Sequence, residues 1–407
     1  MLETIREYAG EKLAASGDEV LTRRAHAAYC LVLAEEPADD ESATNDRQQV
    51  ERFALEYHNI RAALAWLIET GDAEWGLRLG TALFRFWDTR DYLEEGRDWL
   101  DKLLKLPGSA APTNARARAV FAAGALAAEQ RDYISGNVLM SESLDIARQL
   151  GDKRSAAVSL NALGVQARER DDLPSARSLF EDSLVLWRES GDQKATARTL
   201  SNLANVVKLQ GDYVQARLLY AECLSIFQAL GDRSGLAWSI NSQGDVAREQ
   251  GDFREAKALY EQGLAIFREL GDRWGIGGTL TDLGNLAREQ ADYATAHTLY
   301  RESMKAFQEL GHKRGIARLL ECFARSAAAQ REAERSLRLA GAAAALRHQI
   351  GAPLAQAEQA KLEAALNPVR QVLTNTASAA AWLEGWTMPV EKAIEQVLLS
   401  GTAPSSN

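Results

Sequence analysis

A fixed 40-residue period constrains this chain more than any other feature: Gly-Asp recurs at 151, 191, 231 and 271 and decays to Gly311-His312. Between Gly191 and Leu310 three consecutive blocks are near copies of one another. A second punctuation mark stands halfway through each block, as Gly211-Asp212-Tyr213 and Gly251-Asp252-Phe253. A period between about 20 and 50 residues marks a stack of identical supersecondary units, each too small to bury its own apolar surface.

The apolar residues within a unit follow helical spacing. Leu200, Leu203, Ala204 and Val207 fall at i, i+3, i+4 and i+7, and Ala216, Leu219, Tyr220, Cys223 and Leu224 repeat the stripe in the second half. Gly211 can take the left-handed conformation that closes a helix. Asp212 can then cap the next one, with Gln215 completing a capping box, as Glu255 does after Asp252. Each unit therefore reads as a helical hairpin, and the fold class as all-α. Asn114 to Gln349 is regular, with Arg131-Asp132-Tyr133 and Asp171-Asp172-Leu173 as further mid-unit turns.

Those positions carry a resemblance. A small residue where the two helices meet (Gly164, Gly244 and Gly284, with Ala204 in the fourth unit) and Tyr220 four residues after Ala216 resemble the tetratricopeptide repeat. Leu283-Gly284-Asn285 resembles the longer, 40-residue variant of that repeat. Leu160, Leu200, Ile240, Leu280 and Leu320 stand where the repeat usually has an aromatic. The resemblance implies a right-handed superhelix, an α-solenoid, whose first helices line a concave face.

The ends resemble a narrower group. MLETIREYAGEKL and YHNIRAALAWLIETGD are similar to segments of bacterial signal-transduction ATPases with repeat arms, the MalT-type and LuxR-type regulators. The tryptophan-rich stretch around Trp75, Trp87 and Trp99 resembles their first, divergent repeat. On that reading residues 1–70 are a helical junction to an ATPase and winged-helix module, broken at Ser16-Gly17-Asp18 and by an acidic loop over 37–48. Residues 71–350 are the solenoid of about seven helix pairs, 351–400 a helical cap, and 401–407 a disordered tail. The ATPase itself is missing: no GxxxxGK[ST] occurs, and Gly151-Asp152-Lys153-Arg154 reads as a helix boundary.

Stepping by 40 residues along the first helices stacks Arg168, Lys208, Arg248 and Arg288 into a basic ladder. One turn earlier stand Val165, Asn205, Asp245 and Asn285, and one turn further back Asn161, Ser201, Asn241 and Thr281. Asn offers donor and acceptor together, which suits a peptide backbone, and Arg grips a carboxylate through two parallel bonds. The competing interpretation is a solvated face of inter-repeat ion pairs, each contributing about 0–1 kcal/mol. Trp238 and Trp274 lie near the starts of adjacent first helices, where packing and ligand contact both compete for them.

Composition narrows the function classes. A net charge of −10 argues against a nucleic-acid footprint, and no run of 18 apolar residues is present to span a membrane. Three separated cysteines, Cys30, Cys223 and Cys322, within apolar stripes suit buried thiols in a reducing cytoplasm. The five histidines are dispersed without HExxH, and His312 occupies the slot of a capping Asp. No nucleophile elbow, metal set or cofactor motif is present. The expectation is a cytoplasmic, non-enzymatic module that holds a protein or peptide segment, as the sensing arm of a STAND-type transcriptional regulator acting with its own ATPase module. A stand-alone adaptor or peptide receptor is the alternative.

Overall fold

The computed structural model describes residues 3–36, 43–90, 92–354 and 356–399, and among them every regular element is a helix. Two compact units result, one up to Gly191 and one from Asp192. The division falls on a repeat boundary inside the 71–350 stretch. In unit 1, α1 (Glu3–Ser16), α2 (Glu19–Glu35) and α3 (Ala43–Thr70) precede α4 (Ala73–Ala82), α5 (Phe84–Thr89) and α6 (Leu93–Leu104). Two regular hairpins follow, α7 (Asn114–Glu129) with α8 (Tyr133–Leu150), and α9 (Lys153–Glu169) with α10 (Leu173–Ser190).

Unit 2 holds four more hairpins: α11 (Gln193–Leu209) with α12 (Tyr213–Leu230), α13 (Arg233–Glu249) with α14 (Phe253–Leu270), α15 (Arg273–Glu289) with α16 (Tyr293–Glu309), and α17 (Lys313–Ala329) with α18 (Ala333–Gln349). It closes with α19 (Gln356–Val372), α20 (Asn375–Thr387) and α21 (Val390–Leu399). The break at Ser16-Gly17-Asp18 and the helices after Gly351 lie where the sequence places them. Of the loop expected over 37–48, residues 43–48 are helical, since α3 begins at Ala43; residues 37–42 and the tail 401–407 lie outside the described residues.

A left-handed residue recurs every 20 positions from 131 to 351, the halfway turns included. Eight of these are glycine, but Arg131, Asp171, Ala291 and Arg331 adopt φ between 60° and 64° all the same. After Arg131, Asp171 and Ala291 a capping Asp follows, whereas after Arg331 Glu332 follows and makes no side-chain cap. In the halfway turn of one unit, Gly211 N–H donates to Lys208 O (3.0 Å) and Asp212 N–H to Val207 O (3.1 Å), the Schellman pair that ends a helix. The same Asp212 then caps α12, its Oδ1 accepting from Gln215 N (3.0 Å). One residue thus ends one helix and starts the next.

This double duty corrects the expected capping box. Asp252 N–H is already committed to Ala247 O (2.9 Å), so it is closed to the Glu255 side chain. The Glu255 carboxylate instead takes both guanidinium nitrogens of Arg217, at 2.9 and 2.7 Å. His312 fills the cap slot as expected: Nδ1 accepts from Gly315 N at 3.0 Å. Asp152 caps α9, which makes Gly151-Asp152-Lys153-Arg154 a helix boundary.

Inside the hairpins α9–α10, α13–α14 and α15–α16 the small residue faces an aromatic 16 positions on. A Cβ on Gly164, Gly244 or Gly284 would stand 2.8, 2.8 and 2.4 Å from the rings of Phe180, Tyr260 and Tyr300. A second ladder joins the two helices of a hairpin. Ser143, Ser183 and Ser303 donate to the carbonyls of Ala117, Ala157 and Gly277 at 2.6–2.9 Å, and Cys223 Sγ to Ala197 at 3.3 Å. Cys30, Cys223 and Cys322 are all buried free thiols.

The ends of the chain pack differently from the repeats. Trp87, wholly buried in unit 1, donates from Nε1 to Tyr57 Oη at 2.9 Å. Glu35 and Glu36, at the edge of the acidic segment, hold Arg78 and Arg52 rather than standing free in solvent. In unit 2, α18 and α20 meet backbone to backbone at Gly341 and Gly385, where a Cβ would stand 2.3 Å from Trp382 O and 1.9 Å from Arg338 O. No described helix is long and apolar enough to cross a membrane.

Candidate binding face

Within unit 2, each first helix touches the next, α11 to α13, α13 to α15 and α15 to α17, while the second helices lack equivalent contacts with one another. A row of hairpins curves toward the layer in which neighbours meet, so the first helices form the inner face of this unit. Ser201, Asn205, Lys208, Trp238, Asn241, Asp245, Arg248, Thr281, Asn285 and Arg288 all lie on these first helices. Asn161 and Arg168 lie on α9, in unit 1.

The polar ladder is largely consumed inside the hairpins. Tyr220, Tyr260 and Tyr300 donate from Oη to Asn205, Asp245 and Asn285 Oδ1 at 2.8, 2.7 and 2.9 Å. Where Val165 replaces the acceptor, the ring is Phe180, which has no hydroxyl to satisfy. Asn205 Nδ2 donates to Ser201 O, and Asn285 is buried. Asn241 and Thr281 are likewise buried rather than open to a ligand. Asn241 Oδ1 accepts from Thr279 (3.2 Å) and fills the space over Gly263, while Thr281 Oγ1 lies within hydrogen-bond reach of Gly277 O and of Ser303 Oγ.

The basic ladder divides by partner. Lys208 Nζ donates to Asp245 Oδ2 at 3.0 Å, linking α11 to α13. Arg168 reaches only its neighbour Glu169, at 3.1 Å. Arg248 approaches Glu249 at 3.3 Å and Glu289 at 3.9 Å, and Arg288 approaches Glu289 at 3.5 Å. Arg288 Nε, buried, has no hydrogen-bond partner. Both guanidinium groups are about four-fifths buried, at 18% and 19% exposure, yet neither has the two-pronged acid contact that Arg217 makes with Glu255.

Charges alternate across this face. Burial pushes the Asp245 carboxyl up, but the Lys208 and Arg248 charges and the Tyr260 hydroxyl together bring it below the ordinary carboxylate value. Asp282, missed by the 40-residue ladder, accepts from Arg318 at 2.8 Å. Its carboxyl is nevertheless held above the ordinary value, because burial and the Asp245 charge outweigh Arg318. The signal for both cross-repeat pairs is a spacing of 36 or 37 rather than 40 residues. Trp238 lies half-buried against Phe267 (4.7 Å between centroids) and Trp274 (4.6 Å), and Trp274 keeps 49% of its surface exposed. Among the described residues no group of three His, Cys, Asp or Glu side chains could hold a metal ion.

Comparison with known proteins agrees with this geometry. The tetratricopeptide repeat model matches residues 155–229, 195–269 and 236–309. These are tetratricopeptide repeats. A Mycobacterium tuberculosis protein provisionally named as an HTH-type transcriptional regulator is 34% identical over 173 residues, 40% of this chain and 19% of the relative. The chain thus matches about a fifth of that relative's length.

Two solved structures share the fold. A Rap protein complexed with competence and sporulation factor superposes with a TM-score of 0.59 at 14% identity, over 86% of this chain and 99% of the other. The Rap conjugation gene regulator of plasmid pLS20, in complex with the Phr* peptide, gives 0.53 at 14% identity, over 88% and 98%. At such identities the likeness is one of fold, an α-solenoid.

Proposed function

We propose that the chain is a peptide- or protein-binding regulatory arm that takes part in signal-dependent control of transcription. The observation that carries this reading is the pair Arg248 and Arg288. Both are mostly buried in unit 2: Arg248 reaches Glu249 at 3.3 Å and Glu289 only at 3.9 Å, and Arg288 approaches the same Glu289 at 3.5 Å with its Nε unpartnered. The unpartnered Nε of Arg288 can donate to a carbonyl or carboxylate brought by a ligand, although Arg325 and Arg338 share that feature. The Phr* peptide held by one fold neighbour and the regulator name of the mycobacterial relative support the same reading.

The finer reading is the arm of a STAND-type regulator acting with an ATPase module. The N-terminal resemblance supports it, as does the greater length of the relative. The test is capture of partners by the full chain, mapping of the bound segment, and titration of that segment as a synthetic peptide. Arg248→Glu combined with Arg288→Glu should abolish saturable binding while leaving the circular dichroism spectrum unchanged. Equal affinity for the wild-type and doubly reversed proteins would make the ladder ordinary surface.

A further inference from the structure

Unit 1 contains a separate feature that the groove does not use. A cavity of about 250 Å³ lies among α4, α7, α8 and α9, with Phe84 of α5 beside it. Phe84, Phe121 and Val158 form apolar walls that are only partly buried, so a hydrophobic surface faces open space. Two exposed cations, Arg118 and Arg154, line the same cavity. Arg154 also lies over the Trp187 ring, 5.9 Å from its centroid. Arg118 additionally lines an adjoining polar cleft of about 530 Å³ that contains Glu35, Glu74 and Arg78.

The inner polar groups have a definite polarity. Ser143 and Ser159, both buried, line the cavity with their oxygens 3.1 Å apart. Ser143 spends its single hydroxyl proton on Ala117 O at 2.9 Å, so Ser159 must be the donor between the two serines. The Ser159 oxygen therefore keeps its lone pairs, and it offers an acceptor rather than a donor. Ser155 Oγ is occupied by Asp152 at 2.6 Å. Burial pushes Asp152 up, but the Ser155 hydrogen bonds and the Arg118 charge bring it below the ordinary carboxylate value, so this carboxylate stays ionised and committed to its cap.

We propose that the cavity binds a small apolar carboxylic acid with a hydrogen-bond donor at its far end, a hydroxyaryl acid being the simplest member of the class. Arg118 and Arg154 take the carboxylate, Phe84, Phe121 and Val158 cover the ring, and Ser159 accepts from the hydroxyl. The volume is a little below the usual range of drug-sized pockets, about 300–1,000 Å³, which suits a small metabolite. Two guanidinium groups exclude a cation. The site goes beyond the peptide-binding reading and lies in the other unit, so either reading can fail without the other.

Calorimetric titration of the full chain with 3-(4-hydroxyphenyl)propionate tests it, with 3-phenylpropionate and tyramine alongside. The hydroxy acid should bind saturably at one site, the acid without the hydroxyl several-fold more weakly, and the amine not at all. Arg118→Gln with Arg154→Gln, both on exposed side chains, should weaken binding about tenfold or more, because hydrogen bonds to charged groups are the stronger class. Val158→Trp should fill the cavity and abolish binding, and Arg248→Glu with Arg288→Glu should leave it unchanged. Absence of saturable binding by the wild type would overturn the proposal. So would equal binding by the doubly substituted arginine protein, a result that stands whether or not Val158→Trp folds.

Discussion

Replacing Gly284 with alanine would place a methyl group against a ring held by both a hydrogen bond and an aromatic neighbour. The new Cβ would stand 2.4 Å from Tyr300 Cε1 and 2.6 Å from Cδ1. Tyr300 is wholly buried, its Oη is bound to Asn285 at 2.9 Å, and its edge meets Phe323 at 5.3 Å between centroids. The ring has little room to slide without giving up its hydrogen bond. Overpacking of this kind costs about 1–3 kcal/mol, and a lost neutral hydrogen bond about 0.5–1.5 kcal/mol. Against this, exchanging Gly for Ala inside a helix contributes about 1 kcal/mol. The net expectation is a destabilisation of about 1–3 kcal/mol.

At Gly244 the contacts with Tyr260 are longer, 2.8 and 2.9 Å, so the same substitution should cost less there. Ala204 stands naturally at the equivalent position, wholly buried opposite Tyr220, which shows that a hairpin of this sequence can be arranged around a methyl group. Stacked hairpins need not unfold in one step, so the readout is hydrogen exchange resolved by helix, alongside urea denaturation. Gly284→Ala should speed exchange in α15 and α16 more than Gly244→Ala does in α13 and α14. A stabilised Gly284→Ala protein, or the reverse order, would refute the packing account.

Three further outcomes follow from other contacts. Asp245 has a depressed folded pKa, so its stabilisation is present above the ordinary carboxylate value and lost as pH falls through the folded one. Asp245→Asn should therefore cost about 1–3 kcal/mol near neutral pH, a difference that shrinks in urea melts toward acid. Asp282 has a raised folded pKa, so its ionised form opposes folding, and Asp282→Asn should stabilise at neutral pH with the advantage fading as pH falls. At the C-terminal end, Gly385→Ala would press a Cβ to 1.9 Å from Arg338 O, a backbone atom that cannot rotate away. This should release α20 from α18 and cost about 3 kcal/mol. Proteolysis confined to residues 374–399 would register it, and a cap as resistant as wild type would contradict it.

Local interactions were legible from the residues alone, because helix spacing, left-handed turns and caps depend on atoms within a few positions. The 40-residue period therefore marked turns from 131 to 351, and at Arg131, Asp171 and Ala291, where glycine is replaced, a capping Asp follows and keeps the register; Arg331 is followed by Glu332, which makes no side-chain cap. It also identified the hairpins and the small residues at their crossings. The use made of the polar ladder was decided only by tertiary structure. Asn205, Asp245 and Asn285 share a row that the sequence opens toward a ligand, yet each meets a tyrosine 15 positions away on the second helix of its own hairpin. Whether a residue at the margin of an apolar stripe faces inward or outward depends on how far its helix rotates against its partner. That rotation is set by packing across the pair, such as the Gly284–Tyr300 contact, and by bridges such as Lys208–Asp245 between hairpins. Those contacts join residues distant in the chain, so one-dimensional spacing can nominate them but cannot orient them.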